Sequence, residues 1–204
     1  MPKTATRENT KYLLIETGID IMVEKGYNAT GLSEVLSAAG VPKGSFYYYF
    51  QSKEDFGLNI INYFDERYVS QLDQILNDKS MTPLDRMYKY VADTITKAQE
   101  RHCSRGCLLA NLSQEMADQN ELFRSRLSEI MTKRSEKFAR CLQEAKDAGQ
   151  VPEGVCVNMC AEFFLCAFEG ALVRSKTMQD PKPLQMVQEA FFDVMLGLDP
   201  HCNG

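Results

Sequence analysis

No stretch of this chain is apolar for long enough to cross a membrane. The densest run, residues 163–168, stops at Glu169, far short of the ~20 residues a spanning helix needs. Residues 1–25 lack the apolar core of a secretory leader. The expected compartment is therefore the cytoplasm, with no membrane partner. Only two His occur among 204 residues, so acid–base capacity is small. No Ser-His-Asp order, Gly-rich phosphate loop or paired-carboxylate motif emerges. The C-x-x-C of thiol oxidoreductases is also missing. These absences argue against an enzyme, and no cofactor is expected. Strand patterning is lacking too, because Val, Ile and Thr do not alternate with polar residues.

An excess of positive charge is the last thing missing. The net charge is −5. Residues 1–53 nevertheless hold six Lys/Arg against five Asp/Glu, and the remainder carries 17 against 23. The asymmetry has the sign a DNA-binding N-terminus needs but is modest. The seven cysteines of a cytosolic chain are poor candidates for structural disulfides. They are core residues, metal ligands or reactive thiols.

Hydrophobic residues make up 44% of the chain, enough for a real core, and their spacing is helical. Tyr12, Ile15, Ile19, Met22 and Val23 mark one helix face, and Gly26 is placed to end that helix in a left-handed conformation. Leu32, Val35, Leu36 and Ala39 mark a short second helix. Gly40 supplies a turn, and Pro42 fits the first turn of a third helix reaching about Phe50. Ser52 and Asp55 form a weak capping box for the next. Six longer helices follow, at about 53–77, 82–102, 107–117, 121–148, 156–177 and 183–197. The last two are apolar almost all round, and a helix apolar on every side is buried on every side. A homodimer joined through these two helices supplies that burial; two central helices of a monomer would also do so. The expected fold is all-α, with about nine helices in two domains: 1–52 for DNA and 53–204 for effector sensing and dimerisation.

Helix, short helix, turn and short helix within about 45 residues is a helix-turn-helix layout. Its last helix belongs in the major groove. Lys43, Gly44 and Ser45 open that helix, where free amides favour phosphate. Tyr47, Tyr48 and Tyr49 carry hydroxyls on rigid rings, and a short helix cannot bury three consecutive positions. Phe46 and Phe50 face the core. Lys53 stands in the first turn of the next helix.

The stretch Thr30-Gly31-Leu32-Ser33 through Ala39-Gly40-Val41-Pro42-Lys43-Gly44-Ser45-Phe46-Tyr47-Tyr48-Tyr49-Phe50, then Ser52-Lys53-Glu54, closely resembles the TetR family of bacterial repressors. The resemblance implies a homodimer on double-stranded operator DNA, released when a small-molecule effector changes the separation of the reading helices. Matching positions make Ser33, Lys43, Gly44, Ser45, Tyr47, Tyr49 and Lys53 the DNA contacts. Ser33 replaces an Arg often found there.

Residues 106–115, Gly-Cys-Leu-Leu-Ala-Asn-Leu-Ser-Gln-Glu, and 169–176, Glu-Gly-Ala-Leu-Val-Arg-Ser-Lys, are similar to the AcuR/NemR-like, electrophile-responsive subgroup of that family. That likeness implies that Cys107 is the sensor and that Lys176 engages it. Chemistry agrees: Cys107 opens a short helix, whose N-terminus favours thiolate. Arg101, His102 and Arg105 add positive charge nearby. Such a thiolate adds to electron-poor alkenes or quinones, or oxidises to sulfenic acid. Three alternatives stay open. Cys107 could simply pack the helix start. A non-covalent ligand, an acrylate-like acid or hydrophobic compound, could pair with Arg105, Arg174 or Lys176. Cys103, Cys107, Cys156 and Cys160, with His102, could make a soft-metal sensor, although their spacing is no recognised zinc pattern and no metal ligands are assigned. Cys141, Cys160 and Cys166 read as core, Cys202 as an exposed bystander.

Overall fold

The computed structural model describes residues 7–198; the reading of Cys202 falls outside them. Among the described residues the architecture is all-α. Its helices are α1 (Arg7–Lys25), α2 (Leu32–Ala38), a 3-10 turn (Lys43–Ser45) running into α3 (Phe46–Tyr49), α4 (Lys53–Leu76), α5 (Pro83–Glu100), α6 (Leu108–Met116), α7 (Glu121–Asp147), α8 (Val157–Met178) and α9 (Lys182–Glu189). Helix α9 continues as a π-helical turn, Ala190–Met195. The helix expected over 183–197 is found over 182–195, with its last six residues π-helical. Here the Leu196 N–H donates to the Phe191 carbonyl five residues back, and the wider turn buries both adjacent rings, Phe191 and Phe192.

Two compact units emerge. Among the described residues, one comprises 7–67 together with Leu108–Leu127; the other comprises Tyr68–Cys107 and 128–198. By compactness, α6 and the start of α7 group with α1, α2 and α3.

In the first unit, Leu14, Ile15, Gly18, Met22 and Val23 form the buried stripe of α1. Tyr12, at the solvent end of that stripe, is exposed and tilts its ring against Tyr63 at 5.6 Å. A Cβ at Gly18 would come within 2.5 Å of Phe56 Cζ, so only glycine lets α1 approach α4 this closely. Phe46, Phe50 and Phe56 are buried in mutual contact, with centroids 4.7–5.6 Å apart. Each such ring contributes about 1.5–3 kcal/mol by leaving water. The α4 start is closed reciprocally: the Asp55 amide donates to Ser52 Oγ (3.0 Å) and the Gln51 amide to Asp55 Oδ2 (2.8 Å). The capping box is present, with its return bond one residue earlier than in the usual pattern.

Helix α1 ends at Gly26, whose φ of +82° is left-handed. The next two amides, Tyr27 and Asn28, donate to Glu115 Oε2 (2.7 Å) and Oε1 (2.6 Å) on α6. A Cβ at Gly26 would sit 2.8 Å from Glu115 Oε2. Glycine is therefore needed twice over, for its dihedral and for the carboxylate's approach.

The second unit packs Met87, Tyr90, Val91, Phe138, Leu142, Phe164, Phe168, Leu184 and Phe191 in one core. Thr82 caps α5 by accepting from the Asp85 amide, with Pro83 at its first position. Within the single chain, helix α8 is two-faced. Cys160, Phe164, Leu165, Phe168 and Ala171 face the core. Met159, Phe163, Cys166, Gly170 and Val173 lie exposed along the opposite side. Cys166, expected in the core, belongs to that exposed stripe, and Phe163 is 53% exposed. The even apolarity of the sequence concealed which side meets the chain's own core.

Glu115→Ala strands two amides at the end of α1. Each lost partner costs about 1–3 kcal/mol, so the urea midpoint of Glu115→Ala should fall with an unchanged slope. A midpoint equal to the parent's contradicts the cap.

Candidate nucleic-acid interface and sensor site

Pro42 precedes the 3-10 turn that presents Lys43, Gly44 and Ser45. Lys43 and Gly44 are exposed and Ser45 is half-buried. In α3, Phe46 points inward while Tyr47 is 74% exposed; Tyr48 is exposed and Tyr49 half-buried. Ser33 on α2 is exposed as well. The structure therefore brings Lys43, Gly44, Ser45, Tyr47 and Tyr49 onto one short segment, with rings locked edge-to-face (Phe46–Tyr47 at 5.4 Å, Tyr48–Tyr49 at 5.2 Å). Lys53 is differently placed. Its ammonium donates to the Asn28 carbonyl (3.2 Å) and lies 4.7 Å from the Tyr27 ring centroid, and burial lowers its pKa. It ties α4 to the turn that Glu115 holds.

Two cations that the motif did not select join this face. Arg7 donates to the Tyr48 carbonyl (3.2 Å), its guanidinium 4.2 Å from the Tyr48 ring centroid. Lys11 lies 5.5 Å from the Phe50 ring centroid. With Glu8 and Tyr49 they line a cavity of about 290 Å³. Their i, i+4 spacing on α1 was visible in the sequence, but the small overall charge asymmetry gave no reason to single them out.

In the second unit, Cys103 is buried below a tight reversal in which His102 and Cys103 both adopt left-handed dihedrals (φ 50° and 51°). Four residues on, Cys107 is half-buried and directly precedes α6. Its thiol is hydrogen-bonded to Glu169 of α8. Glu169 Oε2 is buried with no hydrogen-bond partner among the described residues. Burial raises this carboxyl's pKa; the thiol and the nearby Arg134 charge pull it back. Arg134 of α7 is itself buried, its guanidinium 3.6 Å from the Tyr68 ring centroid. Tyr68 of α4 and Tyr90 of α5 share a hydrogen bond between hydroxyls at 2.5 Å. Burial pushes Tyr68 up to about 12, and both phenols feel the Glu169 charge. Five polar groups thus share one enclosed neighbourhood.

Lys176 stands two turns beyond Glu169 on the last turn of α8, half-buried. Glu169 is a partner of the Cys107 thiol. The other thiols differ: burial raises Cys103 and Cys160, and pushes Cys141 up to about 11. Among the described residues no group of three His, Cys, Asp or Glu is arranged to hold a metal ion, and no helix is long and apolar enough to cross a membrane.

Residues 14–58 match the family model described as bacterial regulatory proteins, tetR family, and residues 83–191 match that of a tetracyclin repressor-like C-terminal domain. The chain belongs to the TetR family. As a TetR-family protein it is a DNA-binding transcriptional regulator and not an enzyme. It is 36% identical to the transcriptional regulator AcuR of Cereibacter sphaeroides over 87% of this chain and 81% of that protein. It is 31% identical to the HTH-type transcriptional repressor NemR of Escherichia coli K12 over 88% and 90%. A crystal structure described as regulatory protein TetR from Rhodobacter sphaeroides superposes with a TM-score of 0.86 at 35% identity, covering 90% of this chain and 97% of that one.

Sequence reasoning missed Arg134, Glu169, Tyr68 and Tyr90 as site residues. One signal existed for Arg134. It occupies the apolar stripe of α7, between Ile130 and Phe138, where an Arg needs a specific reason to be.

Lys11→Ala should weaken binding to a short duplex several-fold. If Lys11 meets a phosphate, the slope of log affinity against log salt should flatten by about 0.9. An unchanged slope excludes it as a phosphate contact.

Proposed function

We propose that this TetR-family regulator is a homodimeric repressor. It leaves its operator when a reactive electrophile, an unsaturated carbonyl compound or an oxidant modifies Cys107. The observation that carries this reading is the position of Cys107. Its thiol lies among enclosed polar groups, and the next residue begins α6, whose Glu115 holds the Tyr27 and Asn28 amides. Modification that moves the Cys107 backbone passes through one peptide bond into α6. The hold on the α1–α2 turn then changes, and with it the presentation of α2 and α3. DNA is met by Ser33, Lys43, Gly44, Ser45, Tyr47 and Tyr49 from their exposed segments, with Arg7 and Lys11 beside them. Lys53 acts by holding the turn as much as by meeting phosphate. Lys176 enters only after a modified Cys107 shifts from Glu169. The repressor sense agrees with the printed name of NemR.

The partner for dimerisation is a second copy. Met159, Phe163, Cys166, Gly170 and Val173 recur at alternating steps of four and three along α8, the spacing of one helical seam. Met186 and Val194 are likewise exposed on and after α9. Water-facing Phe and Met at this spacing need a cover, and symmetric pairing of α8 and α9 provides it. Phe163→Asp should convert the dimer to monomer in sedimentation velocity; an intact dimer rules this face out.

A second reading has its own support. Arg134 and the tyrosine hydroxyls could hold the carboxylate of a non-covalent ligand without any reaction at sulfur. Gel shifts on the protein's own upstream DNA separate the two. Covalent sensing predicts release by an electrophile such as methyl vinyl ketone, persistence after dilution, and loss of the response in Cys107→Ser. Release that reverses on dilution and survives Cys107→Ser instead supports a non-covalent ligand.

A further inference from the structure

The polar groups around Cys107 add a carboxyl to the helix N-terminus that follows it. A thiol is activated by positive charge or a helix N-terminus. Here the group in contact is a carboxyl, Glu169. That carboxyl offers the thiol proton somewhere to go. Arg134 and the Tyr68–Tyr90 hydroxyl pair supply hydrogen-bond donors and positive charge a short way off, within the same interior. Nucleophile, proton acceptor and anion-stabilising donors are the three parts an addition to a conjugated carbonyl requires.

Resting on the reading of Cys107 as the sensor, we propose that Glu169 is the catalytic base of Cys107 and that Arg134 with the Tyr68–Tyr90 pair receives the carbonyl oxygen, so that the site selects α,β-unsaturated carbonyl compounds over other thiol reagents. The step balances without an outside oxidant. The Cys107 thiol gives its proton to the Glu169 carboxylate, and the sulfur lone pair forms a bond to the β-carbon. The alkene π pair moves toward the carbonyl, leaving an enolate whose oxygen accepts from Arg134 and a tyrosine hydroxyl. The Glu169 proton then passes to the α-carbon. The net change is addition of S–H across C=C.

Burial gives Glu169 the character this role needs. Its raised pKa makes it a better proton acceptor than an ordinary carboxylate near neutral pH, and its buried Oε2 has no hydrogen-bond partner among the described residues. A reagent that draws the electrons onto an oxygen held by Arg134 and tyrosine gains a benefit other thiol reagents lack. Selectivity thus comes from the developing enolate and not from thiol acidity alone.

The test follows modification of the Cys107 peptide by mass spectrometry in the full-length protein, with methyl vinyl ketone and iodoacetamide as probes. Iodoacetamide develops no enolate. The exposed Cys156 in each sample is the internal reference, and circular dichroism melts establish folding. A positioned base contributes about 10²–10⁴-fold, so Glu169→Gln should slow addition at Cys107 by about 100-fold, with partial recovery in Glu169→Asp. Tyr68→Phe should lower the methyl vinyl ketone rate by about 10-fold or more, the scale of a lost oxyanion donor, and leave the iodoacetamide rate in place. An unchanged or faster rate in Glu169→Gln overturns the base role while Cys107 remains the sensor. Equal losses with both probes in Tyr68→Phe overturn the carbonyl assignment. If Cys156 reacts and wild-type Cys107 does not, the sensor reading falls and takes this proposal with it.

Discussion

Glu115 reaching back to the amides of Tyr27 and Asn28 is the interaction on which the rest depends. A helix that ends at a left-handed glycine leaves its following amides without intrahelical partners. Here a carboxylate 87 and 88 residues downstream satisfies two of them. That choice makes α6 part of the DNA-reading unit in packing terms, although in sequence it lies deep in the second half of the chain. Gly26 is fixed by the same interaction, since any side chain there would strike the carboxylate. Lys53, from a third element, closes on the same turn through the Asn28 carbonyl and the Tyr27 ring.

The second constraint is a cluster of polar groups where an all-helical core would otherwise be apolar. Burying Arg134, Glu169 and two phenols is costly unless they satisfy one another. They do so in part: hydroxyl to hydroxyl, guanidinium over ring, thiol to carboxyl. One carboxylate oxygen is left over among the described residues. A chain selected only for stability would fill that space with leucine. The cluster supports the chemistry proposed for it, and the chain that leaves it, Cys107 into Leu108, leads directly to the element that carries Glu115.

Much of this could be read from the residues. Helical spacing gave the element count and nearly every boundary, because prolines and glycines punctuate the chain at Pro83, Gly149 and Pro183. The run from Pro42 to Phe50 named the reading segment, since Phe46 and Phe50 lie one turn apart and three adjacent tyrosines cannot all be buried. Cys107 stood out for its place before a short helix. What periodicity could not supply was the choice of partner. Arg101, His102 and Arg105 are near Cys107 in sequence, yet the carboxyl that meets it comes from α8, 62 residues away. Lys176, chosen by likeness, lies two turns past that carboxyl. The even apolarity of α8 hid two faces, one turned to the core and one carrying Phe163 and Cys166 outward. The π-helical end of α9 has no sequence period of its own.

The central claim is that events at Cys107 reach the DNA-reading helices through α6 and the Glu115 hold. Hydrogen–deuterium exchange at the Tyr27 and Asn28 amides, compared before and after stoichiometric modification of Cys107, tests it most directly. These amides should be protected in the unmodified protein and exchange distinctly faster once Cys107 is modified, with Glu115→Ala fast in both states. Release from DNA on modification with unaltered exchange at both amides would contradict the route proposed here.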